Sequence, residues 1–124
     1  MYSYQAIITR VIDGDTIVAD VDLGFNIWMK DSHIRLVGIN APETRTRDLE
    51  EKARGIAAKD RLTELLDKYG PKFVVKTSLD KQWGSFKRVL GEVWVVLIDE
   101  PDNTEMMNIN EQLVAEGHAA RDIR

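Results

Sequence analysis

At 124 residues with 44% hydrophobic content, the chain is long enough to bury one continuous core, and a single domain over residues 1–124 is expected. It contains no cysteine, which excludes disulfides and thiolate metal sites, so any metal must be held by oxygen or by histidine. A net charge of −4 argues against a protein that coats phosphate backbones through counterion release alone, and any contact with nucleic acid must be local, made by a bound cation and a few focused arginines.

Residues 5–11 are apolar and β-branched and run into Asp13-Gly14-Asp15, a turn signal followed by a second β-rich run over 16–23, so a hairpin is predicted. Gly24 and Asn26 predict another reversal, and Asp31-Ser32 a bend, before a third strand over 33–39. From 48 to 69 the period changes. Ala58, Leu62, Leu65, Leu66 and Tyr69 fall at helical spacings with charges between them, and Gly70-Pro71 stops the helix. Strands follow at 72–78 and 88–98, joined through the polar, glycine-containing stretch 80–85. Residues 99–105 read as a loop, and Asn108 with Glu111 three residues later reads as a capping box opening a short helix that ends near Gly117. The sum is a mainly β, α+β fold: a five-stranded, partly open OB-fold barrel with one long helix between strands 3 and 4 and a short C-terminal helix.

The N-terminus MYSYQAIITR lacks the charged start and apolar run of a secretory signal. No stretch approaches the roughly eighteen apolar residues that span a bilayer. A cytoplasmic protein without a membrane partner is expected, a mature secreted form being equally compatible with these features.

Three clusters carry chemistry. Asp13 and Asp15 stand two apart, so on an extended backbone both carboxylates point to one face of a hairpin mouth, with Thr16 beside them. Gathered oxygens of this kind suit a hard cation such as calcium, although Asp-Gly is also an ordinary turn sequence. Arg35 sits among apolar neighbours on a strand otherwise destined for the core, and such a cation calls for a buried carboxylate or a phosphate held bidentately. After it, Asn40-Ala41-Pro42-Glu43 breaks the strand and brings an amide oxygen, a main-chain carbonyl and a carboxylate toward the hairpin mouth, or else forms a loop with a solvated glutamate. Arg88 opens the last long strand beside Lys87 and Phe86, where it either completes a two-guanidinium clamp or is merely solvated. The two histidines, His33 and His118, are not paired at a metal-ligand spacing and read as surface or edge residues. With no nucleophile elbow and no glycine-rich phosphate loop, metal-assisted attack by water is the chemistry best supported.

Taken in order, VIDGDT, IRLVGINAPE, KRVLGEVW and NINEQLVAEGHA resemble the motif series of the staphylococcal nuclease (thermonuclease-like) family, over residues from about 4 to about 120. The resemblance implies an OB fold and a calcium-dependent hydrolase, an endonuclease or exonuclease, acting on DNA and/or RNA. It implies Asp15, Asn40 and the main-chain carbonyl of Ala41 as metal ligands, with Asp13 and Thr16 in support. It further implies that Arg35 contacts the scissile phosphate, that Glu43 acts as general base or orients the attacking water, and that Arg88 stabilises the transition state, with Lys87 and Phe86 against the substrate. Asn40 stands where familiar members carry aspartate, which predicts weaker cation binding. Ala41 replaces a threonine, Phe86 a tyrosine, and Ile123 another tyrosine of the site, which weakens the expected stacking on the nucleotide. The alternative is a catalytically weak or inactive OB module that binds nucleic acid or a protein partner. A monomer is expected, with a homodimer through Trp28, Trp83 or Trp94 as the other possibility.

Overall fold

The computed structural model describes residues 2–78 and 88–122. In chain order the elements are β1 (Tyr2–Asp13), β2 (Thr16–Asp22), β3 (Trp28–Leu36), β4 (Ile39–Asn40), α1 (Leu49–Tyr69), β5 (Lys72–Ser78), β6 (Arg88–Glu100), β7 (Asn103–Asn108), α2 (Ile109–Ala115) and β8 (Ala120–Arg121). Six strands form one sheet in the order β3-β2-β1-β5-β6-β7, and β3 also pairs in parallel with β6. That last pairing, with Ile34 opposite Val89 and Arg35 opposite Leu90, returns the sheet onto its own edge. Irregularities in register along β1–β2 and β2–β3 are the kind of device that bends and twists strands enough for such a return. The result is the expected OB-like α+β fold, and the five strands foreseen from sequence are β1, β2, β3, β5 and β6.

Alternation explains the core. Ile17, Ala19 and Val21 of β2, Ile34 and Leu36 of β3, and Val93 and Val95 of β6 point inward and are buried. Leu62, Leu65 and Leu66 of α1 lie against them, as do Ile109 and Leu113 of α2, while Ala58 is buried beside Gly14, so both helices bury one apolar stripe. Each fully buried leucine or isoleucine contributes about 1.5–3 kcal/mol relative to leaving it in water. Asp48 caps α1 by accepting from the Glu50 and Glu51 N–H groups, and Gly70 closes it with its N–H on the Leu66 carbonyl. Among the described residues no helix is long and apolar enough to cross a membrane.

Two expectations are corrected in detail. Residues 99–105 are not a free loop: β6 and β7 form a hairpin around Pro101-Asp102, with Glu100 opposite Asn103 and Asp99 opposite Thr104. The third strand begins earlier than foreseen, at Trp28, with Asp31 absorbed as a residue at φ 51°. Trp28 is exposed at the end of that strand, whereas Trp94 is half-buried, donates to Glu92 and lies under Lys76. Trp83 lies outside the described residues.

One buried polar side chain ties the helical cap to the sheet. Asn110, 2% exposed, accepts from the Val93 N–H (3.1 Å) and donates to the Val37 (3.0 Å) and Gly91 (3.1 Å) carbonyls. Asn110→Ala removes the side-chain partner of the Val93 N–H and of the Val37 carbonyl, while the Gly91 carbonyl keeps the Val37 N–H at 3.0 Å, so a loss of roughly 2–4 kcal/mol is expected in urea unfolding. A change below about 0.5 kcal/mol would mean that water replaces the amide freely.

Candidate active site

The site is assembled from four segments that converge at one end of the sheet. The β1–β2 turn brings Asp13, Asp15 and Thr16, β3 brings His33 and Arg35, the segment after β3 brings Asn40, Ala41 and Glu43, and the first turn of α1 brings Glu51. Together with Ile12 these residues line one cavity of about 660 Å³. The convergence is enforced by the backbone. Thr16 is the register partner of Arg35, and the Leu36 N–H donates to the Asp15 carbonyl at 2.8 Å. Gly14 allows the turn to press inward, since a Cβ there would lie 2.7 Å from the Cβ atoms of both Ala41 and Ala58. No larger residue fits between the turn, the loop and α1 without displacing one of them.

Asp15 is the centre of the arrangement and is 9% exposed. Its Oδ2 accepts from the Ala41 N–H (2.8 Å) and lies 3.3 Å from Arg35 Nη2, while Oδ1 accepts from Thr16 Oγ1 at 3.2 Å. Arg35 Nη2 also donates to the Asn40 amide oxygen, and Nη1 donates to the Leu36 carbonyl at 2.8 Å. Asp13 Oδ1 accepts from the Asp15 N–H (3.1 Å), shaping the turn. Burial pushes the Asp15 carboxyl up to about 6, and the neighbouring Asp13 carboxyl reinforces the shift; the Ala41 N–H and the Arg35 guanidinium oppose it without cancelling it. A carboxylate this costly to ionise is one whose negative charge the described protein groups leave under-compensated.

Every site residue expected in the first two clusters thus borders the same cavity: Asp13, Asp15, Thr16, Arg35, Asn40, Ala41 and Glu43. Arg88 begins β6 in register with His33, two positions from Arg35 along β3, so its backbone stands at the same end of the sheet. Phe86, Lys87 and Ile123 lie outside the described residues. His33, expected at the surface or an edge, borders the cavity two residues from Arg35 on the same face of β3. Glu51 was not foreseen, and its Oε1 faces the Glu43 N–H at 3.5 Å. Among the described residues no three His, Cys, Asp or Glu side chains converge as a metal-holding group, so a cation here would rely on one buried carboxylate supplemented by neutral oxygens.

A family model for the staphylococcal nuclease homologue matches residues 33–123, nearly three quarters of the chain. The chain belongs to the staphylococcal nuclease family. No curated protein matches it. The staphylococcal nuclease match begins at His33 and so contains Arg35, Asn40, Ala41, Glu43 and Arg88. The acidic hairpin precedes the matched segment, and what joins it to the others is the fold, through the pairing of Thr16 with Arg35 and the bond from Ala41 to Asp15.

Proposed function

We propose that the protein is a cation-dependent nuclease, hydrolysing the phosphodiester bonds of DNA and/or RNA by attack of water, with calcium as the cation. The observation that carries this reading is the single cavity in which Asp15, Arg35, Asn40, Ala41 and Glu43 meet. The ligands assigned to the cation, Asp15, Asn40 and the Ala41 carbonyl, are all oxygens, and the buried Asp15 carboxylate favours a further positive charge, which fits a hard cation. Asp15 and Asn40 would hold it with the Ala41 carbonyl, and Asp13 and Thr16 would support Asp15. When bound, the cation supplies Lewis-acid stabilisation of charge on a phosphoryl oxygen.

The chain's own groups do the rest. Arg35, anchored by its bond to the Leu36 carbonyl, is assigned to contact the scissile phosphate through its planar guanidinium, in exchange for its present bond to Asn40. Arg88 is assigned to the charge that grows on those oxygens, and Glu43 to holding the attacking water and accepting its proton. Cleavage of single-stranded DNA, duplex DNA or RNA with calcium, abolished by a chelator, is the expected result. No hydrolysis of any of the three with any divalent cation would favour the non-cleaving OB module. That second reading draws on the charge balance of the cavity, where four carboxylates, of Asp13, Asp15, Glu43 and Glu51, face one described arginine.

Asn40 gives a further test. Its amide oxygen now accepts from Arg35, and Asn40→Asp adds a negative charge at the same place. Calcium affinity is expected to rise by roughly tenfold in calorimetric titration. Unchanged affinity would show that position 40 does not reach the cation.

A further inference from the structure

We infer that α1 is the positioning element for Glu43, acting through Glu51 and Gly55, a role that rests on the assignment of Glu43 to the attacking water. Two independent contacts support it. Glu51 Oε1 faces the Glu43 N–H at 3.5 Å. One turn further along the helix, Gly55 is so close to the same segment that an added Cβ would lie 2.5 Å from the Glu43 carbonyl oxygen and 2.8 Å from that of Pro42. The peptide groups on both sides of the Glu43 Cα are thereby held against one face of α1, and the side chain between them is directed from a fixed base.

The local sequence shows that this use of Glu51 is not ordinary helix capping. Asp48 is the N-cap of α1, which makes Glu51 the residue that in a capping box reaches back to the N-cap N–H. Here the Asp48 N–H donates to Thr46 Oγ1 at 3.2 Å instead, and Glu51 is released toward the site. Gly55 likewise disfavours the helix in which it sits, since alanine is the better helix former in a helix interior. Both departures have one common beneficiary, the Glu43 segment, and both Glu43 and Glu51 border the cavity.

The test uses the full chain with Glu51→Ala, Glu51→Gln and Gly55→Ala. Amide hydrogen exchange at Glu43 in the metal-free protein reads the positioning directly, and kcat and KM on DNA or RNA with calcium read its consequence. Glu51→Ala is expected to speed Glu43 exchange and to lower kcat, each by about tenfold, with KM changed less than about twofold. Glu51→Gln keeps the acceptor oxygen and is expected to stay within about threefold of the parent in both. Gly55→Ala must push the segment by about 1 Å, which is expected to lower kcat by about a hundredfold while helical circular dichroism is retained. Parent-like exchange and kcat in Glu51→Ala, a loss in Glu51→Gln as large as in Glu51→Ala, or full activity in Gly55→Ala would overturn the inference. If the parent cleaves nothing while Glu51→Ala still frees the Glu43 amide, positioning stands and the hydrolytic reading falls.

Discussion

Glu43→Gln is expected to lower kcat by about three orders of magnitude while leaving the thermal midpoint within a few degrees of the parent. The magnitude is that of losing a positioned general base, typically about 10²–10⁴. The stability expectation follows from place: Glu43 is exposed at the cavity rim and contributes nothing to the apolar stripes of α1, α2 or the sheet. Glutamine retains the volume and one acceptor oxygen but cannot take the proton of the attacking water, so the effect belongs on kcat and not on KM. Steady-state kinetics on one substrate at saturating calcium separates the two. A parent-like kcat would remove Glu43 from the chemistry and leave the cavity as a binding surface.

Asp15→Asn is expected to have opposite effects on stability and on cation binding. In the metal-free protein the Asp15 carboxyl is raised from 3.8 to about 6 on folding. A group shifted in this direction contributes stability that is fully present below the unfolded value and is lost as pH rises through about 6. At pH 7 the folded state therefore carries a poorly compensated charge that asparagine lacks. A shift of this size corresponds to about 3 kcal/mol at most, and water in the open cavity screens it, so a gain of roughly 1–2 kcal/mol is expected for Asp15→Asn at pH 7, vanishing near pH 4. Calcium should reverse the order, stabilising the parent but not the variant, because the added charge of the cation is what the ionised carboxylate lacks. The same logic makes calcium affinity of the parent decline as pH falls through about 6, where protons compete for Asp15. Urea unfolding at both pH values, with and without calcium, checks each step. A variant less stable than the parent at pH 7 without metal would mean that the pair with Arg35, at 3.3 Å, outweighs the burial of the charge.

Short-range signals in the sequence proved the most informative. Asp13-Gly14-Asp15 marks a turn, Asn108 and Glu111 mark a helix start, and in the structure the Asn108 side chain accepts from the Glu111 N–H. Only half of that box forms, since the Glu111 carboxylate pairs with Arg121. Arg35 was conspicuous because a guanidinium on an apolar strand requires a partner, and it has one in Asp15. What escaped the sequence depends on contacts without side-chain periodicity. Residues 103–105 are polar and exposed and the two methionines stand side by side at 106 and 107, so no alternation announces β7, which exists because its backbone pairs with β6. Gly24, Phe25, Asn26 and Asp31 all adopt positive φ, a turn signature that hid the start of β3 at Trp28. Glu51 looks like any charged residue of a helix's first turn, and its partner is a main-chain N–H eight residues away. His33 is two residues from Arg35, and the pleat that puts both on one face is legible only once the strand boundaries are fixed.

The arrangement as a whole is tested by crystals of the protein soaked with calcium and a nucleoside 3′,5′-bisphosphate. The account requires a cation against the Asp15 carboxylate, with one phosphate between that cation and the guanidiniums of Arg35 and Arg88, and a water within hydrogen-bonding reach of Glu43. A cation bound elsewhere, or a phosphate held away from Arg35 and Arg88, would contradict it.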